Sequence, residues 1–241
     1  MKNIFSGFAL ALSMLTTLPF FRVHNFYKGI NGYAVMSYPF VGFLVGSLIY
    51  SVYMLLTPYL PSTHLGIILF ALWVLLTGAL HLDGFCDTVD GLYVPKERAL
   101  EVMKDPHNGG MGMLFGGTFL ILKASSLASF ELFYLLPIIL LISRLVVVCE
   151  IYFFSYVSKH GMGTLAKEEF TKEQFFITIF YSLLLVILFD SLLLLGVAFI
   201  VMLLIKKKFI KRYGGFTGDI YGFSIELIEL LLLNIVLLGL I

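Results

Sequence analysis

Charge is what this sequence has least of. Asp, Glu, Lys and Arg together make up 13% of 241 residues, against 60% hydrophobic residues and a mean hydropathy of +1.00. No soluble core of this size needs that much apolar surface, so the composition describes an integral membrane protein. Cysteine is nearly absent too. Cys86 and Cys149 cannot build a disulfide framework, and both read as buried reduced thiols. No HExxH motif is present, and no small-residue cleavage site closes the first apolar stretch, residues 1–21. That stretch is therefore expected to be a retained helix, re-entrant or interfacial, rather than a signal peptide. The net charge of +1 separates nothing. Its distribution does, and it points to the bilayer, not to a nucleic acid.

Long apolar runs organise the chain. Spans are expected over 33–56, 65–82, 109–130, 132–157 and 219–241, and the 31-residue run 175–205 is too long for one ordinary crossing. Asp190-Ser191 at its middle could cap a second helix, so it is split in two. The expectation is an all-α, polytopic membrane bundle of about seven transmembrane helices plus the N-terminal helix, forming one catalytic domain over 1–241. Gly42 and Gly46 form a GxxxG pattern, the ordinary mark of close helix packing. Threading these spans gathers every Lys and Arg except Lys123 and Arg144 on one side, which the positive-inside rule makes cytoplasmic. The protein is thus expected in the cytoplasmic membrane with its charged loops inside; residues 22–32 and 158–174 read as two of those loops.

Three carboxylates, Asp83, Asp87 and Asp90, fall within His81-Leu82-Asp83-Gly84-Phe85-Cys86-Asp87-Thr88-Val89-Asp90-Gly91. If the apolar run before them continues as a helix, they stand at i, i+4 and i+7, within an arc of roughly 60°. Like charges on one face repel unless water reaches them all or a cation sits between them. The first case is an acidic, solvated helix end. The second suits a hard ion, Mg²⁺ or Mn²⁺, because every donor is oxygen. Gly84 and Gly91 would let a ligand or a second helix approach the backbone. An EF-hand loop does not fit, since its twelfth position is Val94, and Cys86 has no partner for zinc. His81 projects from the opposite side of such a helix. Pro95 is expected to stop this helix and start another of about two turns.

A second acidic element runs Gly214-Gly215-Phe216-Thr217-Gly218-Asp219-Ile220-Tyr221-Gly222-Phe223-Ser224-Ile225-Glu226. Asp219 and Glu226 share a helix face, Glu229 follows within one turn, and Thr217 and Gly218 precede a helix start whose N–H groups could meet phosphate. Lys123 and Arg144 lie inside expected spans, where a cation is costly. Lys123 could snorkel, and Arg144 could pair with Glu150 or Glu226; alternatively both face an anionic ligand.

Taken together, these stretches resemble the cobalamin synthase family, the adenosylcobinamide-GDP ribazoletransferases. The resemblance rests on HLDGxxDTxDG at 81–91, MKDxxxGxxG at 103–112 and GGxTGDxxGxxxE at 214–226, with Lys123, Arg144 and the Tyr-Pro-Phe-Val-Gly of 38–42 in similar places. Pro106-His107, Thr17 and Lys159-His160 depart from common family residues. The resemblance implies that a hydroxyl of α-ribazole, or its 5′-phosphate, attacks the phosphoryl group on cobinamide of adenosylcobinamide-GDP, releasing GMP and adenosylcobalamin or its phosphate. It also implies a Mg²⁺ requirement. On that reading Asp83, Asp87, Asp90 and Asp219 are metal ligands, and Asp219 or Glu226 accepts the hydroxyl proton. Lys104, Asp105, Lys123 and Arg144 meet the substrates, with Gly84, Gly91, Thr217 and Gly218 beside them. Without the resemblance, a proton-coupled transporter or a noncatalytic membrane subunit would compete. The oligomeric state stays open.

Overall fold

The structure, a computed structural model, describes residues 2–18, 23, 26–105, 107, 109–158 and 161–240. Arg22 and His24 of the expected polar loop, and Pro106, Lys159 and His160 of the family departures, lie outside the described residues. Within them the chain forms α1 (Lys2–Leu15), α2 (Ile30–Leu56), α3 (Ser62–Thr77), α4 (Leu80–Leu92), α5 (Lys96–Val102) and α6 (Gly110–Ala128). After a 3₁₀ turn at Phe133–Leu135 come α7 (Leu136–Phe153), α8 (Met162–Glu169), α9 (Lys172–Leu188), α10 (Leu192–Tyr213) and α11 (Gly218–Leu237). Apart from one isolated bridge between Tyr156 and Phe216, no β pairing occurs among the described residues. The all-α polytopic expectation holds. Among the described residues four helices are long and apolar enough to cross a membrane, or six if each of two bent pairs makes one span.

Helix α7 is apolar except for Ser143, Arg144 and Glu150 and is buried along nearly its whole length, as a helix so poor in polar surface must be. Helices α2, α9, α10 and α11 pack around it. The α2 contact is made by the glycines of the GxxxG pattern. A Cβ on Gly42 would lie 2.4 Å from the Leu140 carbonyl oxygen, and one on Gly46 would lie 2.5 Å from the Pro137 Cα. Only hydrogen fits there.

Two expectations about helix continuity meet different outcomes. The run 65–82 is not one helix: Gly78 (φ 60°) and Ala79 (φ 55°) are both left-handed, and α4 turns off α3 at 85°. Two such residues in succession end the i→i−4 ladder, and the α3 carbonyls they strand find a partner in Thr17. Its N–H donates to Leu76 O at 2.8 Å and its Oγ1 to Leu75 O at 2.9 Å. The run 175–205, by contrast, does divide where expected, with Asp190 left-handed (φ 50°) between α9 and α10. Ser191 does not cap α10, however; its hydroxyl donates to the Phe189 carbonyl.

Pro95 precedes α5 as anticipated. Residues 158–174, read as a loop, contain the amphipathic α8 and the start of α9, which a capping box of Thr171 and Gln174 begins. Cys149 is buried, whereas Cys86 is only half-buried; both are free thiols.

Candidate active site

The site is built where α4 crosses the start of α11. A Cβ on Gly84 would lie 2.9 Å from Asp219 O, and one on Gly222 would lie 3.0 Å from His81 O. Two glycines facing each other let the backbones approach closely enough to bring Asp83 and Asp219, far apart in sequence, onto one cavity. That cavity holds about 300 Å³, and Asp83, Gly84, Gly218, Asp219, His81 and Arg144 line one end of it. Asp87 stands in the negative field of Asp83, Asp219 and Asp90, in decreasing order. Thr217 caps α11, its Oγ1 accepting the Ile220 N–H at 3.3 Å and donating to Asp219 Oδ2 at 3.3 Å. Lys104 contributes a favourable charge at Asp219.

Asp90 does something else. Buried in α4, its Oδ2 accepts the Gly109 N–H and its Oδ1 the Gly112 N–H, both at 2.7 Å. The carboxylate thereby satisfies two of the donors that the α6 N-terminus leaves open, and its charge suits that end of the helix. The glycines of the 103–112 element follow from this clamp: a Cβ at Gly109 or Gly112 would sit 2.5 or 2.3 Å from the Asp90 carboxylate. Gly91 likewise serves packing. Its carbonyl accepts from Tyr213 OH at 2.9 Å, and a Cβ there would meet the Met103 side chain. Asp105 is exposed and binds the His107 backbone N–H at 3.0 Å and its ring Nδ1 at 2.8 Å, contacts that hold its carboxyl below the ordinary value.

The two intramembrane cations are occupied. Lys123 Nζ donates to Glu226 Oε2 at 2.5 Å and to Glu229 Oε2 at 2.6 Å, and Arg144 Nη1 donates to Glu229 Oε1 and to Ser143 Oγ. All four ionic side chains are buried, and among them the charges cancel. Of the two, only Arg144 borders the cavity as well as the network. Its carboxylate partner is neither Glu150 nor Glu226: Glu150 accepts instead from Ser224 Oγ at 3.0 Å. Glu226 lies in the network rather than on the cavity. Glu229 was not among the expected site residues, although its i+3 spacing from Glu226 places it on the same face. His81, set aside on projection grounds, does reach the cavity, with Nδ1 3.5 Å from Arg144 Nη2.

Asp83, Asp87 and Asp219 offer oxygen donors only, the set suited to Mg²⁺. Among the described residues no three His, Cys, Asp or Glu side chains converge closely enough to hold an ion by themselves. Mg²⁺ is commonly held by one or two carboxylates with the rest of its shell from substrate phosphates and water, so the pair at the cavity fits that mode of binding.

A helical membrane bundle in which the exposed Asp83, the half-buried Asp219 and the buried Arg144 border one small cavity has the build of a membrane-embedded enzyme. Residues 7–237 match the cobalamin-5-phosphate synthase family, and the chain belongs to it, as its three motifs led us to expect. It is 33% identical over 237 residues to the adenosylcobinamide-GDP ribazoletransferase of Desulfitobacterium hafniense, covering 93% of each chain. It is 39% identical over 202 residues to that of Thermosynechococcus vestitus (81% and 82% covered) and 35% identical over 240 residues to that of Acinetobacter baumannii (94% of each). No solved structure matches the chain.

Proposed function

We propose that this protein is a ribazoletransferase of the cytoplasmic membrane, joining α-ribazole or its 5′-phosphate to the cobinamide phosphoryl group of adenosylcobinamide-GDP with release of GMP. The observation that carries the reading is the meeting of Asp83 and Asp219 at the Gly84–Gly222 crossing, on a cavity that Arg144 also borders. In this transfer the ribazole oxygen forms a bond to phosphorus, the bond from that phosphorus to the GMP oxygen breaks, and the hydroxyl proton goes to a carboxylate. Phosphoryl transfer is largely positioning and charge neutralisation, which is what this constellation offers.

Asp83 and Asp87 would hold the Mg²⁺, with Asp219 completing the set when it is not protonated. The ion supplies neutralisation of diphosphate charge and of the departing oxygen. Asp219, whose carboxylate faces the cavity, takes up the proton of the attacking hydroxyl. Arg144 binds a nonbridging phosphate oxygen, and Lys104 adds positive charge at the cavity mouth. Asp90 keeps α6 docked against α4, while Lys123, Glu226 and Glu229 hold Arg144 in place. The Lys and Arg of the polar loops support a cytoplasmic mouth by the positive-inside rule.

Purified protein given adenosylcobinamide-GDP, α-ribazole and Mg²⁺ should release GMP, which neither a carrier nor a scaffold would do. Asp87→Asn should lower turnover by about a hundredfold or more, the usual scale for losing one electrostatic contributor, while the protein stays folded in the membrane. Near wild-type turnover in that variant would remove the metal role.

A further inference from the structure

The cavity has a second end, chemically unlike the first. Next to Asp83 and Asp219 its lining turns apolar, with Tyr38, Val147, Ile151, Met162 and Ala166, and Tyr156 stands at the junction, its hydroxyl beside Gly218 and in the field of Asp219. The short helix α8 roofs this end: a Cβ on Gly163 would lie 2.2 Å from the Tyr156 hydroxyl, and Ala166 is buried. Tyr156 belongs to a stacked aromatic row, its ring 5.9 Å from Tyr221 at 22°, and Tyr221 5.7 Å from Phe216 at 21°. The row is braced by backbone hydrogen bonds, Val157 N–H to Phe216 O at 2.9 Å and Phe216 N–H to Ser155 O at 2.8 Å. A flat aromatic wall that is already ordered suits a flat apolar ligand, because little freedom is lost on binding.

On the ribazoletransferase reading, three kinds of group come to the site. A corrin macrocycle is far too large for about 300 Å³. The donor's guanine carries ring-edge donors and acceptors that Val147, Ile151, Met162 and Ala166 leave unpaired, which is costly for a buried base. The benzimidazole of ribazole is uncharged, planar and bicyclic, and its ribose must reach the acidic end with a hydroxyl. We infer that the aromatic end is the seat of the acceptor's base, with Tyr156 as its stacking surface and Ala166, on α8, setting the size of base admitted. The nucleoside lies lengthwise, base under α8 and ribose toward Asp219.

Ala166→Leu tests this with two acceptors, the ribosides of benzimidazole and of 5,6-dimethylbenzimidazole. Methyl-sized differences in an apolar pocket are worth about 10- to 200-fold. The variant should raise KM for the dimethyl compound about tenfold or more, raise that for the unsubstituted one by a few-fold at most, and leave KM for the GDP donor unchanged. Tyr156→Leu should raise KM for both ribosides. A rise confined to the donor's KM, or equal rises for the two ribosides in Ala166→Leu, would overturn the inference. A measurement on the unaltered protein stands beside these: an azidobenzimidazole riboside, photolysed in place, should label Tyr156 or residues 162–166, and excess α-ribazole should protect them. Label elsewhere, or none that ribazole protects, would also overturn it. Failure of the underlying functional reading looks different, since wild-type protein would then release no GMP with either riboside.

Discussion

Replacing Lys123 by Met should unbalance the buried ionic network in a way that can be worked out from its members. Lys123 and Arg144 carry two positive charges against the two negative charges of Glu226 and Glu229, and their side chains are between 0% and 4% exposed. Met keeps most of the volume but leaves Glu226 and Glu229 to share one cation. Breaking a buried pair from one side costs about 3–5 kcal/mol, because a charge is left uncompensated. For a chain of this size that corresponds to a fall in Tm of roughly 6–20 °C. Adding Glu226→Gln restores neutrality, so Lys123→Met/Glu226→Gln should melt within a few degrees of wild type. Thermal unfolding in detergent micelles can be followed on Trp73, the single tryptophan, whose ring centre lies 4.2 Å from Lys123 Nζ. The double variant should also keep turnover, because neither residue borders the cavity and Glu229, the direct partner that holds Arg144, remains. A single variant that melts with wild type, or a double as unstable as the single, would refute the charge-balance argument. A stable but inactive double would return Lys123 or Glu226 to the chemistry.

Other substitutions carry different signs. Asp90→Ala strips the acceptor from the Gly109 and Gly112 N–H groups; at about 1–3 kcal/mol per unsatisfied buried donor it should lower Tm clearly and raise hydrogen exchange at the start of α6. Gly42→Ala forces a methyl against the Leu140 carbonyl and Arg144 Cδ, so overpacking of about 1–3 kcal/mol should show as a lower melting temperature. Ala79→Gly should instead stabilise. The left-handed backbone at φ 55° costs a non-glycine residue roughly 1–2 kcal/mol, and a Tm no higher than wild type would contradict the assigned role of that bend.

Much of the fold was legible because apolar runs must be buried in lipid or protein, and their lengths bound the helices. The split near Asp190 was readable for that reason, from the length of the run 175–205 and the polar Asp190-Ser191 at its middle. The break at Gly78–Ala79 was not, because Ala is a strong helix former and nothing local announces a left-handed Ala. Its stranded carbonyls are met by Thr17, some sixty residues earlier, a contact no local pattern contains. Helix α8 was hidden by its brevity and its polar composition.

The carboxylates of 81–91 and 214–226 were visible as candidates, yet a helix face says only which side chains point the same way. It could not tell that Asp90 would find two backbone N–H groups at α6 while Asp83 faced a cavity. Nor could spacing choose Glu229 over Glu150 and Glu226 as the partner of Arg144, since ion pairing across helices depends on their rotation and depth. Composition and motif order by themselves determined the membrane class, the family and the acidic segments, because these depend on residue types along the chain. Which acids meet, and which cation borders the cavity, was decided only when close glycine contacts set how α4 crosses α11 and α2 crosses α7.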